Sequence, residues 1–202
     1  LNNYCVSGLT AIGHAATQVA VGNLDRALAG GVEMMSRVPF LGDNASYYTD
    51  ASLPKRTRFI PVVLAADRLA EKEGVSREQL DAVALVSQQR AGAAEADPAL
   101  TASRVPLGGL SRDECARPQS TTQSLAAMAP SFAALATQYA DALDGPIDHR
   151  HTIGHAPPIC DGAGLALIGG APKAADRPRA RILGYAESGG DPHASLLAGF
   201  TA

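Results

Sequence analysis

A cysteine near the start of the chain stands directly ahead of a Ser-Gly pair and a helical pattern. Cys5 is followed by Ser7 and Gly8, and from Leu9 apolar residues recur at helical spacing until Gly22. A free thiol is mostly protonated at neutral pH, whereas the N–H groups and dipole at a helix N-terminus favour the thiolate. We therefore predict that Cys5 is a nucleophile at a strand-to-helix turn, where Gly8 permits the close approach of another backbone or an acyl group.

The alternative is a structural cysteine. Free cysteine is among the most buried residue types, so Cys5 could equally pack at the end of a strand. The other cysteines, Cys115 and Cys160, are far apart in the chain, which argues against a disulfide framework or a CxxC motif. We predict that Cys160 is a core thiol and that Asp161-Gly162, directly after it, forms a turn.

Three histidines at close spacing are the other cluster that could do chemistry. His149, His151 and His155 lie near Asp148, and histidine is the commonest metal ligand. Alternate positions entering a strand do not by themselves converge, however, and no pattern of carboxylates that would orient the rings is readable. We predict no metal site and no metal or redox cofactor.

The composition excludes two classes of partner. The chain has 202 residues, a formal net charge of −3 and only 4% aromatic residues, so it lacks the basic field and stacking residues that bind nucleic acid. No apolar run approaches the roughly 18 residues of a membrane-spanning helix, and no signal-peptide pattern opens the sequence. We expect a cytoplasmic protein that contacts neither nucleic acid nor membrane.

The elements that would position Cys5 follow an α/β pattern at both ends of the chain. The pattern predicts four strands, at residues 1–4, 26–31, 161–170 and 179–188. Between them, residues 40–150 read as a helical and loop insertion. Within it we predict a helix near residues 62–73, a capping box at Ser76-x-x-Gln79, and an alanine-rich helical run over 123–143 that Pro130 interrupts.

Several stretches resemble, in order, the motifs of the thiolase family. The segment "NNYCVSGL" resembles the thiolase nucleophile motif Asn-x-x-Cys-x-Ser-Gly, and "AGGVEMMSR" resembles the Ala-Gly-Gly-x-Glu-x-Met-Ser that follows it. Further on, "DECARPQSTT" resembles the family's Asp-Glu-x-x-Arg-Pro-x-Thr-Thr, and "CDGAGLALIGG" resembles its Asn-Ser-Asp-Gly-Ala strand. The stretch "RARILGYAESGGDP" is similar to the opening strand of the second thiolase half.

The resemblance implies an acyltransferase that acts on acyl-CoA thioesters. It implies that Cys5 is acylated during thiolysis of a 3-ketoacyl-CoA or the reverse Claisen condensation, with coenzyme A as substrate and acyl carrier. It further implies that Arg117 and Ser124 contact the nucleotide and pantetheine ends of coenzyme A, where a guanidinium suits a phosphorylated ligand. A catabolic role of the fatty acid beta-oxidation type and a homodimer or homotetramer are expected.

The same resemblance implies an α/β thiolase-like fold, layered α-β-α-β-α in a complete family member. On this basis residues 1–40 are the latter part of the N-terminal half with the nucleophile turn, and 41–150 are the inserted loop domain for coenzyme binding and oligomer contacts. Residues 151–175 are then the last strand of that half, and 176–202 the start of the C-terminal half.

The sequence also departs from the family pattern. Pro157 stands where a serine is expected beside the pantetheine, and His155 lies in the same altered stretch. Thiolases end with a Gly-His-Pro and a second Cys-x-Gly that move protons, and neither occurs before Ala202, so we expect an interior portion of a longer thiolase. Two alternatives are a ketoacyl synthase and a non-catalytic thiolase-like subunit that binds acyl-CoA.

Overall fold

The computed structural model describes residues 1–39, 42–50, 52–174, 176–177, 180–191 and 196. The chain divides into two compact units, each treated by itself below. The sheet unit comprises residues 1–43 and 159–187, and the helical unit comprises residues 44–158 and 188–201.

Among its described residues, the sheet unit contains one helix and a two-stranded antiparallel sheet. Helix α1 spans Ser7–Ala20, strand β1 spans Arg26–Met34 and strand β2 spans Asp161–Gly169. The strands pair along their whole length, and the small size of Gly30 is required because a Cβ there would lie 2.2 Å from the Gly164 oxygen.

The two faces of this sheet differ in exposure. Ala29 is buried at 5% exposure, on the face opposite to the side chains that flank it in the strand. Leu28 and Val32 share the other face with their cross-strand neighbours Leu165 and Leu167, and all four are more than half exposed. This face of the sheet is therefore apolar and open to solvent in the described chain.

The helical unit has its own hydrophobic core. Its elements are α2 (Ser46–Thr49), α3 (Ser52–Thr57), α4 (Val62–Lys72), α5 (Arg77–Glu95), α6 (Pro98–Thr101), α7 (Thr122–Ala126), α8 (Ala133–Gln138) and a 3₁₀ helix over Ala140–Ala142. Leu64 of α4 is fully buried and packs in one cluster with Ile60 and Tyr139. The rings of Phe59 and Tyr139 meet edge to face, with centroids 6.1 Å apart.

Most predicted elements of the helical unit are confirmed. The capping box at the start of α5 is complete, since Ser76 accepts a hydrogen bond from the Gln79 N–H and the Gln79 side chain accepts one from the Ser76 N–H. The alanine-rich run forms two separate helices, α7 and α8, instead of one. It is interrupted around Pro130, because proline lacks the N–H that a helix needs as a donor.

Two predicted strands are wrong. Residues 1–4 form a tight turn with a single bridge between Asn3 and Cys5, and the described residues 180–188 contain no strand. A strand needs a partner for its backbone hydrogen bonds, and in the described sheet β1 and β2 pair only with each other. In the part of the chain that the structure describes, no helix is long and apolar enough to cross a bilayer.

Candidate functional site

Cys5 lies on an exposed turn at the N-terminus of α1. Its thiol is free and exposed, and α1 begins at Ser7. The N-cap residue is Val6, whose side chain has no polar group with which to cap the helix. The partial positive charge of the α1 N-terminus therefore lies within two residues of the thiol.

Polar neighbours of Cys5 brace this turn. The Ser7 hydroxyl accepts a hydrogen bond from Asn3 N at 2.7 Å and donates one to Tyr4 O at 2.7 Å. The Asn2 side chain accepts from Tyr4 N at 3.0 Å, and the Asn3 amide donates to Thr10 Oγ1 at 3.0 Å. The polar residues around the cysteine thus fix the backbone from which the thiol projects.

The sharp bend ahead of α1 is made at Tyr4. Tyr4 has a φ of 49°, in the left-handed region that a non-glycine residue adopts at some energetic cost. Apart from its chain neighbours and the nearby backbone of α1, no described atom lies within 4 Å of the place that a Cβ on Gly8 would occupy. The predicted close approach of another backbone to Gly8 is therefore not found among the described residues, and the space beside it is open.

Arg117 and Ser124 both lie in the helical unit, whereas Cys5 belongs to the sheet unit. Arg117 is exposed, and both its backbone N–H and its carbonyl are hydrogen-bonded. Its N–H donates to Gln88 Oε1 at 2.7 Å, and its carbonyl accepts from Ser120 N at 3.0 Å and Ser120 Oγ at 2.8 Å. These bonds fix the main chain and use none of the guanidinium donors.

Ser124 forms a capping box at the start of α7. Its hydroxyl accepts a hydrogen bond from Thr121 N and donates one to Thr121 O, both at 2.9 Å, while the Thr121 hydroxyl accepts from Ser124 N. A hydroxyl has one proton and two lone pairs. Ser124 can therefore accept one further hydrogen bond from a ligand, but it can donate only by releasing Thr121.

The three histidines are drawn into a buried network with two aspartates. His149 Nδ1 and His151 Nδ1 contact opposite oxygens of Asp67, at 2.9 and 2.6 Å, and Asp67 is fully buried. Burial raises the pKa of Asp67, but hydrogen bonds from His151, His149 and two backbone N–H groups outweigh that effect and hold the pKa below its ordinary value. No metal-binding group of three ligands is found among the described residues.

His155 bonds to a second buried aspartate, and its ring meets that of His151 edge to face, with centroids 5.7 Å apart. Thr152 N donates to His155 Nδ1 at 3.0 Å, so the ring proton is on Nε2 and is donated to Asp81 at 2.7 Å. Asp81 also accepts from Arg77 Nε at 2.9 Å. Burial raises the pKa of Asp81, but the bonds from Arg77 and His155 lower it by more. The His155 ring is therefore used in structural bonds and its side chain is buried, whereas Pro157, in the same altered stretch, is exposed.

Arg77 links that network to the segment carrying Ser124. One guanidinium nitrogen donates to the carbonyls of Leu125 and Met128, at 2.7 and 2.9 Å. These two oxygens lie at the end of α7 and beyond it, where a helix leaves its last carbonyls without internal donors. Asp67, Asp81 and Arg77 were not predicted from the sequence. Arg77 and Asp81 are four positions apart on α5, but their other partners and those of Asp67 lie between 48 and 84 positions away in the chain.

The prediction that Cys160 is a core thiol is wrong, because the structure leaves it exposed. It directly precedes β2, whose first residue, Asp161, accepts a hydrogen bond from Ser36 N at 2.8 Å. Hydrogen bonds from Ser36 lower the pKa of Asp161. Asp161 therefore ties the start of β2 to the end of β1 instead of forming the predicted turn.

Comparison with known proteins identifies relatives over most of the chain. The family model described as "Thiolase, N-terminal domain" matches residues 1–169. Beta-ketoadipyl-CoA thiolase of Pseudomonas putida is 35% identical over 219 aligned residues, covering 95% of this chain and 52% of that protein. 3-Ketoacyl-CoA thiolase FadA of Escherichia coli K12 is 30% identical, covering 95% of this chain and 49% of that protein. The chain thus spans about half the length of these relatives.

Solved structures show the same similarity. The dimeric peroxisomal thiolase of Saccharomyces cerevisiae aligns with a TM-score of 0.65 at 28% identity, covering 84% of this chain and 42% of that one. Human mitochondrial 3-ketoacyl-CoA thiolase in complex with CoA aligns with a TM-score of 0.64 at 28% identity, covering 84% of this chain and 43% of that one.

Proposed function

The chain belongs to the thiolase family, and from this premise we propose that it is part of an enzyme that transfers acyl groups between coenzyme A thioesters through Cys5. Its fold is the α/β thiolase-like fold predicted from the sequence. The observation that carries the proposal is the exposed thiol of Cys5 on a braced turn at the N-terminus of α1.

The proposed reaction is cleavage of a 3-ketoacyl-CoA. The Cys5 thiolate attacks the 3-keto carbon, the bond between carbons 2 and 3 breaks, and carbon 2 takes a proton to leave as acetyl-CoA. The thiol of a second coenzyme A then loses its proton and attacks the acyl-cysteine, which releases the shortened acyl-CoA and the Cys5 thiolate. Both proton transfers need groups within hydrogen-bond reach of the reacting atoms.

The helical unit is proposed to hold the coenzyme. Arg117 is exposed and its guanidinium suits the phosphates at the nucleotide end. Ser124 is proposed to accept a hydrogen bond from an amide N–H of the pantetheine arm, since its own proton is already donated to Thr121 O. The predicted division at residues 40, 150 and 175 stays a proposal, with 41–150 as the coenzyme-binding insertion.

A degradative role is proposed because the relatives are named for 3-ketoacyl-CoA and beta-ketoadipyl-CoA thiolases. The yeast relative is described as dimeric, and for this chain a homodimer or homotetramer is proposed. The cytoplasmic location also stays a proposal.

The proposal is tested by incubating the chain with acetyl-CoA and quantifying released coenzyme A by chromatography. We expect one equivalent of coenzyme A per chain from the native protein and from Cys160→Ala, which removes another exposed thiol, and none from Cys5→Ala. Equal release from Cys5→Ala and native chain would show that Cys5 is not the acylated residue. Binding of acetyl-CoA without release would instead favour a non-catalytic acyl-CoA-binding subunit.

A further inference from the structure

Two residues on one face of α5 contact the loop that carries Arg117. Gln88 Oε1 accepts the Arg117 N–H at 2.7 Å. One turn later Gly92 lies against Pro118, so closely that a Cβ on Gly92 would be 2.5 Å from the Pro118 Cβ. Residues four apart on a helix share one face. Two consecutive turns of α5 therefore contact two consecutive loop residues, Arg117 and Pro118.

The two contacts are complementary in kind. Pro118 has no N–H to donate, so the Arg117 N–H is the donor that this part of the loop can offer to α5. Gly92 lacks a side chain, which lets the Pro118 ring approach the helix backbone. Gln88 and Gly92 are both half-buried, so a hydrogen bond and a close packing contact act together at the same site.

We propose that Gln88 and Gly92 are positioning residues for coenzyme binding, which act by fixing the main chain of Arg117. This inference rests on the proposed function, in which Arg117 contacts the phosphates of the coenzyme. A long exposed arginine has many side-chain conformations, and binding a ligand costs free energy because it orders them. If the backbone of Arg117 is already fixed, this cost is smaller. Neither residue needs to touch the ligand.

The inference predicts which part of the coenzyme is affected. Arg117 can pair with the phosphates of the nucleotide end, which pantetheine lacks. A loosened Arg117 should therefore weaken binding of coenzyme A and leave binding of pantetheine unchanged. General damage to the helical unit would weaken both.

The test is calorimetric titration of the 202-residue chain with coenzyme A and, separately, with pantetheine. Gln88→Met keeps the length of the side chain but has no comparable acceptor, and we expect it to weaken coenzyme A binding about threefold to tenfold. Gln88→Glu keeps an acceptor for the Arg117 N–H, and at an ionic strength that screens the added charge we expect near-native affinity. Equal losses for coenzyme A and pantetheine in Gln88→Met would overturn the inference.

Gly92→Ala tests the second contact. The added Cβ must displace Pro118, and we expect a loss of about tenfold in affinity for coenzyme A with pantetheine binding again unchanged. An unchanged affinity for coenzyme A would show that this contact does not position the loop.

Arg117→Ala separates the inference from the proposed function. If Arg117→Ala binds coenzyme A as tightly as the native chain, the proposed placement of the coenzyme is wrong. If Arg117→Ala weakens binding but Gln88→Met does not, the placement stands and the positioning role is wrong. Because Gln88 is proposed to act through Arg117, the double variant should bind no more weakly than Arg117→Ala alone, and additive losses would contradict this.

Discussion

The sheet unit and the helical unit hold their functional residues in different ways. Around Cys5, the bracing hydrogen bonds join residues no more than seven positions apart, and the longest runs from Asn3 to Thr10. In the helical unit, the Arg117 loop has local bonds to Ser120 as well, but the bond between Gln88 and Arg117 and the bonds from Arg77 to the end of α7 join residues 29 to 51 positions apart.

The units also differ in burial. The four largest fully buried side chains of the described residues, Ile60, Leu64, Asp67 and Thr152, all belong to the helical unit. In the sheet unit the apolar side chains of one sheet face are exposed, Leu165 by 72%. The turn at Cys5 is therefore a local structure that needs little core, whereas the proposed coenzyme loop depends on a packed unit.

The largest expected effect is a contrast between two leucines. Leu64→Ala removes a fully buried side chain, and we expect it to lower the free energy of unfolding by about 3 kcal/mol. Leu165→Ala removes an exposed one and should change that free energy by less than about 0.5 kcal/mol. Urea unfolding of both variants measures the contrast, and a similar loss in both would mean that the sheet face is covered in solution.

The next effect concerns the buried carboxylate. Asp67→Asn replaces an acceptor of several hydrogen bonds with a group that also donates, and we expect a loss of about 2 kcal/mol in the free energy of unfolding. Asp144→Asn makes the same chemical change at a side chain that is 73% exposed, and it should cost less than about 1 kcal/mol. Equal losses would show that the Asp67 network does not stabilise the helical unit.

The same network predicts a pH dependence with a definite sign. The pKa values of Asp67 and Asp81 are lower in the folded chain than the ordinary value of 3.8. Their contribution to stability is therefore complete above that value and is lost as the pH falls through the lower folded-state pKa values. Unfolding free energies measured across the acid range should fall less steeply in Asp67→Asn, and an unchanged slope would contradict the assignment.

The smallest expected effect on stability lies at the nucleophile turn. Ser7→Ala removes two local hydrogen bonds, and we expect a loss of about 1 kcal/mol in the free energy of unfolding together with roughly tenfold slower acetylation of Cys5. Ser103→Ala changes an exposed serine of the helical unit and should alter neither quantity. If Cys5 is acetylated as fast in Ser7→Ala as in the native chain, the turn does not position the thiol.

This contrast explains which features the sequence could predict. The helix after Cys5, the capping box at Ser76 and the interruption near Pro130 depend on neighbours in the chain, and all three were predicted correctly. The proposed role of Cys5 was predicted from its position ahead of a helix and from a family motif, whereas the proposed roles of Arg117 and Ser124 were predicted from family motifs alone.

The errors arise where structure depends on distant partners. The aspartates bonded to the three histidines lie 74 to 84 positions away from them, so the spacing of the histidines did not indicate Asp67 or Asp81. The strand predicted at residues 179–188 has the right composition, but composition does not provide the neighbouring strand that it would pair with. Cys160 was predicted to be buried from its residue type, although burial depends on what packs against it.

The most direct test of the central claim compares two exposed cysteines within one chain. After brief exposure to acetyl-CoA, peptide mapping by mass spectrometry measures the acetylated fraction of Cys5 and of Cys160 in the same sample. If the turn at the N-terminus of α1 makes Cys5 the nucleophile, its acetylation should be at least about tenfold faster than that of Cys160. Equal rates at the two cysteines would contradict the account.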